Sequence, residues 1–157
     1  QLGTRYSEMM NGKYISQDGK EELYYMGCYG IGVSRTLAAL YEQSVVKNKN
    51  GEPCGFVLPK QLTPYTLQII PKMDIPGKTE LAEKLAEILS NKGIKTIIDD
   101  REKITIGAKI KDVKILGTPY MVILGDKANE DNIEIEDSMT GEKFEATFEN
   151  IVEKIKN

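Results

Sequence analysis

The chain of 157 residues has no histidine and no tryptophan, and only two cysteines, Cys28 and Cys54. Without histidine, imidazole general acid or base chemistry is excluded. Two thiols in different sequence contexts cannot build a disulfide framework, and without imidazole they cannot complete a zinc site of ordinary ligand spacing. No metal ligand is therefore expected, and such cysteine usage fits the reducing cytoplasm. The longest apolar stretches, around Tyr120 to Leu124 and Leu67 to Ile70, fall far short of the roughly 20 residues that cross a bilayer, so no membrane partner is expected. The opening Gln1-Leu2-Gly3-Thr4-Arg5-Tyr6 has neither an initiator Met nor the basic-then-apolar layout of a signal peptide. The chain is therefore read as a piece of a longer protein.

What is present is ordinary for a globular protein: 40% hydrophobic and 29% charged residues, enough for one sizeable core or two small ones. The net charge of -3 hides an asymmetry. From Asp126 to Asn157 there are ten acidic and four basic residues, net -6, which leaves +3 on residues 1–125. A nucleic-acid surface should then lie before Asp126.

Lys13 to Ser16 and Glu21 to Tyr29 read as a hairpin turning through Gln17-Asp18-Gly19. After Gly30 and Gly32, the recurrence of Val33, Leu37, Leu40, Tyr41 and Ser44 or Val45 predicts a helix ending near Glu42 to Val46. Residues 47–64 combine a Lys/Asn run with glycine and three prolines and show no period, which predicts an interdomain linker between residues 1–46 and 65–157. Beyond it, strands at Tyr65 to Ile70, Lys95 to Ile98 and Tyr120 to Leu124 alternate with helices at Thr79 to Asn91 and Gly107 to Leu116. This βαβαβ order predicts an α/β fold with a mainly parallel sheet covered by helices. Thr79 is the expected N-cap of the first of those helices. Ile133 to Ile135 and Lys143 to Ala146 add two short strands, making a mixed five-stranded sheet, and a helix from Phe148 to Ile155 closes the domain.

Two constellations could carry chemistry. The first is Gly30-Ile31-Gly32-Val33-Ser34-Arg35 after the strand-like Tyr24 to Tyr29. A dinucleotide fingerprint needs a third small residue where Arg35 stands and an acidic residue about 20 positions on, and neither occurs. What remains is either a packed turn with a solvated arginine, or an arginine on a first helical turn that reaches an anionic or planar ligand.

Met26 to Arg35 followed by Leu37-Ala38-Ala39-Leu40 closely resembles motif 3 of the bacterial-type prolyl-tRNA synthetases, which are class II enzymes, and Gln1 to Ser7 is similar to the segment one strand earlier in that family. Arg5 stands where the family usually has Lys. The resemblance runs through nearly the whole chain. It implies that Arg35 serves catalysis by binding ATP, that Gln1, Gly30 and Gly32 lie at the nucleotide, and that Thr4 and Cys28 line the proline pocket. Cys28 otherwise reads as a small buried hydrophobe.

The second constellation is Asp99-Asp100-Arg101 at a strand end, followed by Gly107, Lys109, Lys111, Asp112 and Lys114, then Gly117-Thr118-Pro119. In open α/β sheets ligands bind at the carboxyl ends of strands. The helix places Ile110, Val113 and Leu116 or Gly117 inward and its lysines outward, so the segment is either a solvated face with an Asp100–Arg101 ion pair or a surface for RNA phosphates and unstacked bases. It resembles the anticodon-binding domain shared by prolyl, threonyl, histidyl and glycyl synthetases. That resemblance implies that Asp100, Arg101, Lys109 and Lys111 contact the anticodon. It departs from the family at Ile104 to Gly107, which lacks the usual Arg-Pro-Gly and is one residue longer.

For the intact enzyme the resemblance implies activation of proline with ATP and Mg²⁺ to prolyl-adenylate, transfer to tRNA(Pro), and a homodimer. Catalysis would rest on positioning and charge stabilisation with no covalent enzyme intermediate. Motifs 1 and 2 are not in these residues and are expected upstream, so the fragment is expected to be inactive alone and to bind no cofactor tightly. A non-catalytic, synthetase-like RNA-binding or regulatory paralogue is the alternative.

Overall fold

The computed structural model describes residues 1–156. It divides into two compact units, Gln1–Leu37 and a second that begins at Ala38. The first unit holds a short helix α1 (Arg5–Met9), the strands β1 (Lys13–Ile15) and β2 (Glu21–Leu23), and the start of helix α2 (Val33–Gln43). β1 and β2 form the expected antiparallel hairpin, with Lys13 opposite Leu23 and Ile15 opposite Glu21. The second strand was expected to run on to Tyr29, but it stops at Leu23. A strand persists only while another backbone pairs with it. Beyond Leu23 the Tyr24 N–H still donates to the Gly12 carbonyl at 3.1 Å, and a bridge joins Gly3 and Met26, where the N–H groups of Leu2 and Met26 each donate at 2.9 Å. Gly30 and Gly32 accordingly sit on exposed irregular backbone and not at a strand end.

The predicted division at residue 46 falls elsewhere, inside α2, for a physical reason. Tyr41 packs edge-on against Phe56, ring centroids 5.4 Å apart, and the Ser44 carbonyl accepts from the N–H of Val57. Residues 47–64, expected to be an interdomain linker, lie within the second unit. β3 (Val45–Lys47) and β4 (Pro53–Phe56) pair antiparallel around a turn in which the Asn48 side chain accepts from the N–H groups of Asn50 and Glu52. Val57 and Leu58 that follow are buried.

The core of this unit is the mixed five-stranded sheet, in the order β6-β5-β7-β8-β9, with β5 (Leu67–Pro71), β6 (Thr96–Ile98), β7 (Tyr120–Leu124), β8 (Ile133–Asp137) and β9 (Lys143–Ala146). β5 is parallel to both β6 and β7, and the last two strands return antiparallel. Period-two alternation divides the side chains between two faces. Leu67, Ile69, Tyr120, Val122, Leu124, Ile133 and Ile135 pack with Ala82, Leu85 and Leu89 of α3 (Lys78–Asn91) and with Ile151 and Ile155 of α5 (Ile151–Lys156). On the opposite face Ile70 and Met121 meet Val113 and Ile110 of α4 (Ile106–Leu116).

Helix starts differ from expectation in two places. α3 begins after Gly77, whose positive φ of 82° only glycine adopts without strain, and Thr79 directs its hydroxyl to Met73 Sδ instead of capping. α5 begins at Ile151 and not at Phe148, because Thr147 and Asn150 exchange side-chain-to-backbone bonds that set its first turn. Among the described residues no helix is long and apolar enough to cross a membrane.

Candidate functional site

α4 determines the site's shape. Thr105 caps its N-terminus by accepting from the N–H of Ala108, and Gly117 ends it with φ 74°, donating to the Val113 carbonyl. Its other side holds the β3–β4 hairpin. Gly55 lies so close that a Cβ there would stand 2.6 Å from Lys114 Cβ, and the Leu58 N–H donates to the Gly117 carbonyl at 3.0 Å. The helix is thus fixed from both sides beside the carboxyl end of β6, where Asp99, Asp100 and Arg101 emerge.

Asp99 is the hub. Its N–H still bonds to the Ile69 carbonyl, as in the strand, and its carboxylate is almost fully buried. Arg101 grips that carboxylate with two bonds, Nε to Oδ1 at 2.8 Å and Nη2 to Oδ2 at 2.7 Å, and Nη2 also reaches Asp112 Oδ2 at 2.6 Å. Lys109 Nζ donates to the Asp99 carbonyl oxygen at 2.7 Å and stands 3.7 Å from Oδ1. The Arg101 hydrogen bonds, reinforced by the Lys109 charge, hold the Asp99 carboxyl below the usual carboxylate range against the opposing effect of burial. Asp99, then Asp112, raises the Arg101 pKa in turn.

Two expectations change here. Lys109 was expected to face outward with the other lysines, yet it is 1% exposed and its ammonium is turned into the Asp99 turn. The helical phase explains this, since Lys109 lies one turn before the buried Val113. The ion pair is also not Asp100–Arg101 but Asp99–Arg101, which leaves the Asp100 carboxylate exposed beside the half-exposed guanidinium. Lys103 and Lys111 are exposed and form no ion pair among the described residues. What the strand end presents to solvent is therefore a guanidinium held by two carboxylates, a free carboxylate and two exposed ammonium groups. Such a set suits base edges and phosphates of an unstacked RNA strand.

Sequence reasoning missed Gln68, on the face of β5 that α4 covers, and the capping role of Thr105. Thr105 stands directly before the apolar period, which was a readable signal. A polar residue amid the β5 run Leu67–Pro71 carried no such signal.

In the first unit the Gly3–Met26 bridge sets the Gln1–Thr4 stretch alongside Tyr25 to Cys28, and the Tyr25 hydroxyl donates to Gln1 Oε1 at 3.4 Å. Cys28 is exposed, contrary to its reading as a buried hydrophobe, because the strand expected around it does not form. Gly30, Gly32 and Arg35 are exposed, Thr4 is half-buried, and no bond links Arg35 to the others among the described residues.

The chain is similar over 156 residues to the proline–tRNA ligase of Nautilia profundicola, at 41% identity across 98% of this chain and 26% of that protein. With the Bacillus subtilis proline–tRNA ligase it shares 39% identity over 151 residues, 96% of this chain and again 26% of the relative. The chain thus spans about a quarter of the length of the curated relatives it matches. The crystal structure of prolyl-tRNA synthetase from Cryptosporidium parvum, complexed with L-proline and AMP, has the same fold, with a TM-score of 0.67 at 21% identity over 99% of this chain and 31% of that one. Residues 67–157, more than half of the sequence, match the family model of the Anticodon binding domain, and the chain belongs to that family.

Proposed function

We propose that the chain is the carboxyl-terminal part of a cytoplasmic proline–tRNA ligase, in which the second unit recognises the anticodon of tRNA(Pro). The observation that carries this reading is the breadth of the similarity, which takes in both units and not the matched domain alone. Asp100 and Arg101 would read base edges, and Lys111 would hold phosphate. Lys109 would act from within by fixing the Asp99 turn that presents Arg101. The positive balance before Asp126 supports an RNA-binding surface in that part of the chain.

In the intact enzyme, as a homodimer, the proline carboxylate would attack the α-phosphate of ATP to give prolyl-adenylate and release pyrophosphate, and the prolyl group would then pass to the 3'-terminal ribose of the tRNA with release of AMP. Arg35 would bind the nucleotide, with Gln1, Gly30 and Gly32 beside it and Thr4 and Cys28 against proline. The exposure of Arg35, Gly30, Gly32 and Cys28 is compatible with ligand contact. Mg²⁺ would enter with ATP, held chiefly by its phosphates.

The test is binding of tRNA(Pro) and of anticodon-substituted tRNA(Pro) to the 157-residue chain at two salt concentrations. Preference for the native anticodon is expected to survive at the higher salt while overall affinity falls. Equal binding of both RNAs would refute the reading. The chain is expected to show no proline-dependent ATP–pyrophosphate exchange.

A further inference from the structure

The β3–β4 hairpin, the last turn of α4 and the turn between β8 and β9 together line a cleft of about 350 Å³, within the size range of small-ligand sites. It lies at the amino end of the parallel strands. Ser138 follows Asp137, which pairs with Tyr120 at the start of β7, and the Ser138 N–H donates to the Pro119 carbonyl at 2.8 Å. Asp99 and Arg101 emerge at the opposite end of the sheet, beyond β6. The β8–β9 turn is held by Asp137 Oδ1, which accepts from the N–H groups of Met139 and Thr140. Within that turn the Ser138 hydroxyl oxygen is buried without a hydrogen-bond partner among the described residues. A buried hydroxyl left unpaired is costly and calls for a partner.

Lys47, Lys49 and Lys114 line the same cleft, and none of them forms an ion pair or a side-chain hydrogen bond among the described residues. Lys114 stands in the last turn of α4, where its charge also offsets the negative end of the helix; Lys47 and Lys49, on the hairpin, have no such counterpart. Glu136 is the one lining carboxylate among the described residues, and it has Lys143 4.0 Å away. The hairpin's own carboxylate, Glu52, is bound by Asn48 Nδ2 at 2.9 Å and does not line the cleft.

We propose that this cleft binds the phosphoryl group of an organic phosphate ester, with Ser138 donating its hydroxyl proton and the three lysines supplying the countercharge. A phosphoryl group presents several acceptor oxygens at once, which suits a hydroxyl and several ammonium donors converging on one space. A cation would meet three ammonium groups, and a neutral ligand would leave them unanswered. The half-buried Phe56 and the exposed Met139 give the cleft apolar surface for the organic part of an ester, which inorganic phosphate would not use. The same group occurs in a free phosphate ester and in an RNA backbone. Neither Asp100 nor Arg101 takes part, so the site is independent of the anticodon reading.

The experiment titrates the isotopically labelled 157-residue chain with phenyl phosphate, inorganic phosphate and phenol, and separately with a U-only hexaribonucleotide, following the Ser138, Gly55 and Gly141 amide signals. Phenyl phosphate is expected to shift these signals saturably and to bind about fivefold more tightly than inorganic phosphate, with phenol silent. Its affinity should fall as salt is added. Ser138→Ala is expected to weaken phenyl phosphate about tenfold, by removing a hydrogen bond to a charged group. The double variant Lys47→Gln/Lys49→Gln, at exposed positions, is expected to weaken it about tenfold and keeps the test decisive should Ser138→Ala not fold. A hexamer that binds more tightly than phenyl phosphate on the same signals identifies an RNA backbone as the source, and a weaker one identifies a free ester. No saturable shift, a response to phenol equal to that to phenyl phosphate, or wild-type affinity in both variants would overturn the proposal. The double variant is expected to keep its preference for the native anticodon of tRNA(Pro); loss of that preference would join these lysines to the anticodon site and equally overturn it. Phenyl phosphate binding without tRNA(Pro) binding would leave this cleft standing and remove the anticodon reading.

Discussion

The buried pair at the end of β6 allows two single substitutions to be ranked in advance. Lys109 is 1% exposed and gives one short charged hydrogen bond to the Asp99 carbonyl, while the Asp99 carboxylate is shared by Lys109 and Arg101. Asp99→Asn keeps the shape but leaves a fully buried ammonium without its counter-charge. Breaking a buried pair in that way costs about 3–5 kcal/mol. Lys109→Met removes the ammonium and keeps most of its volume and its apolar stem. It sacrifices a hydrogen bond to a charged donor, worth about 1.5–3 kcal/mol, and the carboxylate retains its two-pronged Arg101 contact. Asp99→Asn should therefore be the more damaging change, measured as the shift in urea midpoint at pH 7 by circular dichroism. If Lys109→Met costs as much as Asp99→Asn, or if both stay within about 0.5 kcal/mol of wild type, the network does not carry the stability assigned to it.

The pH dependence follows from the same carboxyl. Its folded pKa is depressed, so its contribution is fully present above the unfolded value of about 3.9 and is lost as pH falls through the lower folded value. The stability gap between wild type and Asp99→Asn should hold from pH 7 to about pH 4 and close below that, as followed by urea melts at stepped pH. Gly55→Ala forces a Cβ to within 2.6 Å of Lys114 Cβ and 2.9 Å of its carbonyl oxygen, and should cost about 1–3 kcal/mol in the same melts. Lys111→Ala should weaken tRNA(Pro) equally for native and substituted anticodons and lower the salt slope by about 1, read from binding isotherms at several salt concentrations.

The sheet was legible because β5 and β7 are short apolar runs between turn residues, and α3 because Leu81, Leu85, Ile88 and Leu89 keep a helical period. Lys109 was misread although its position is on the inward stripe with Val113; the habit of lysines to be solvated outweighed the phase. The β3–β4 hairpin was hidden by polar composition, yet Asn50-Gly51 between Val45-Val46 and Phe56-Val57 is a hairpin signal. The end of β2 was not legible at all, since Tyr-rich sequence gives strand propensity but not a partner. Asp99–Asp100–Arg101 was recognised as a cluster, but which aspartate binds the arginine depends on which side of the strand end each one faces.

The seating of Gly55 against α4 also bears on how small this fold can be made. The matched domain begins at residue 67, but a protein trimmed there would lose Leu58 from beside Gly117 and the strand that covers Lys114. One flank of α4 would face water, and the helix that carries Lys109 would be held by the sheet alone. The minimal autonomous unit should therefore begin near residue 40, and limited proteolysis of the folded chain should spare 53–58 and cut before Ala38.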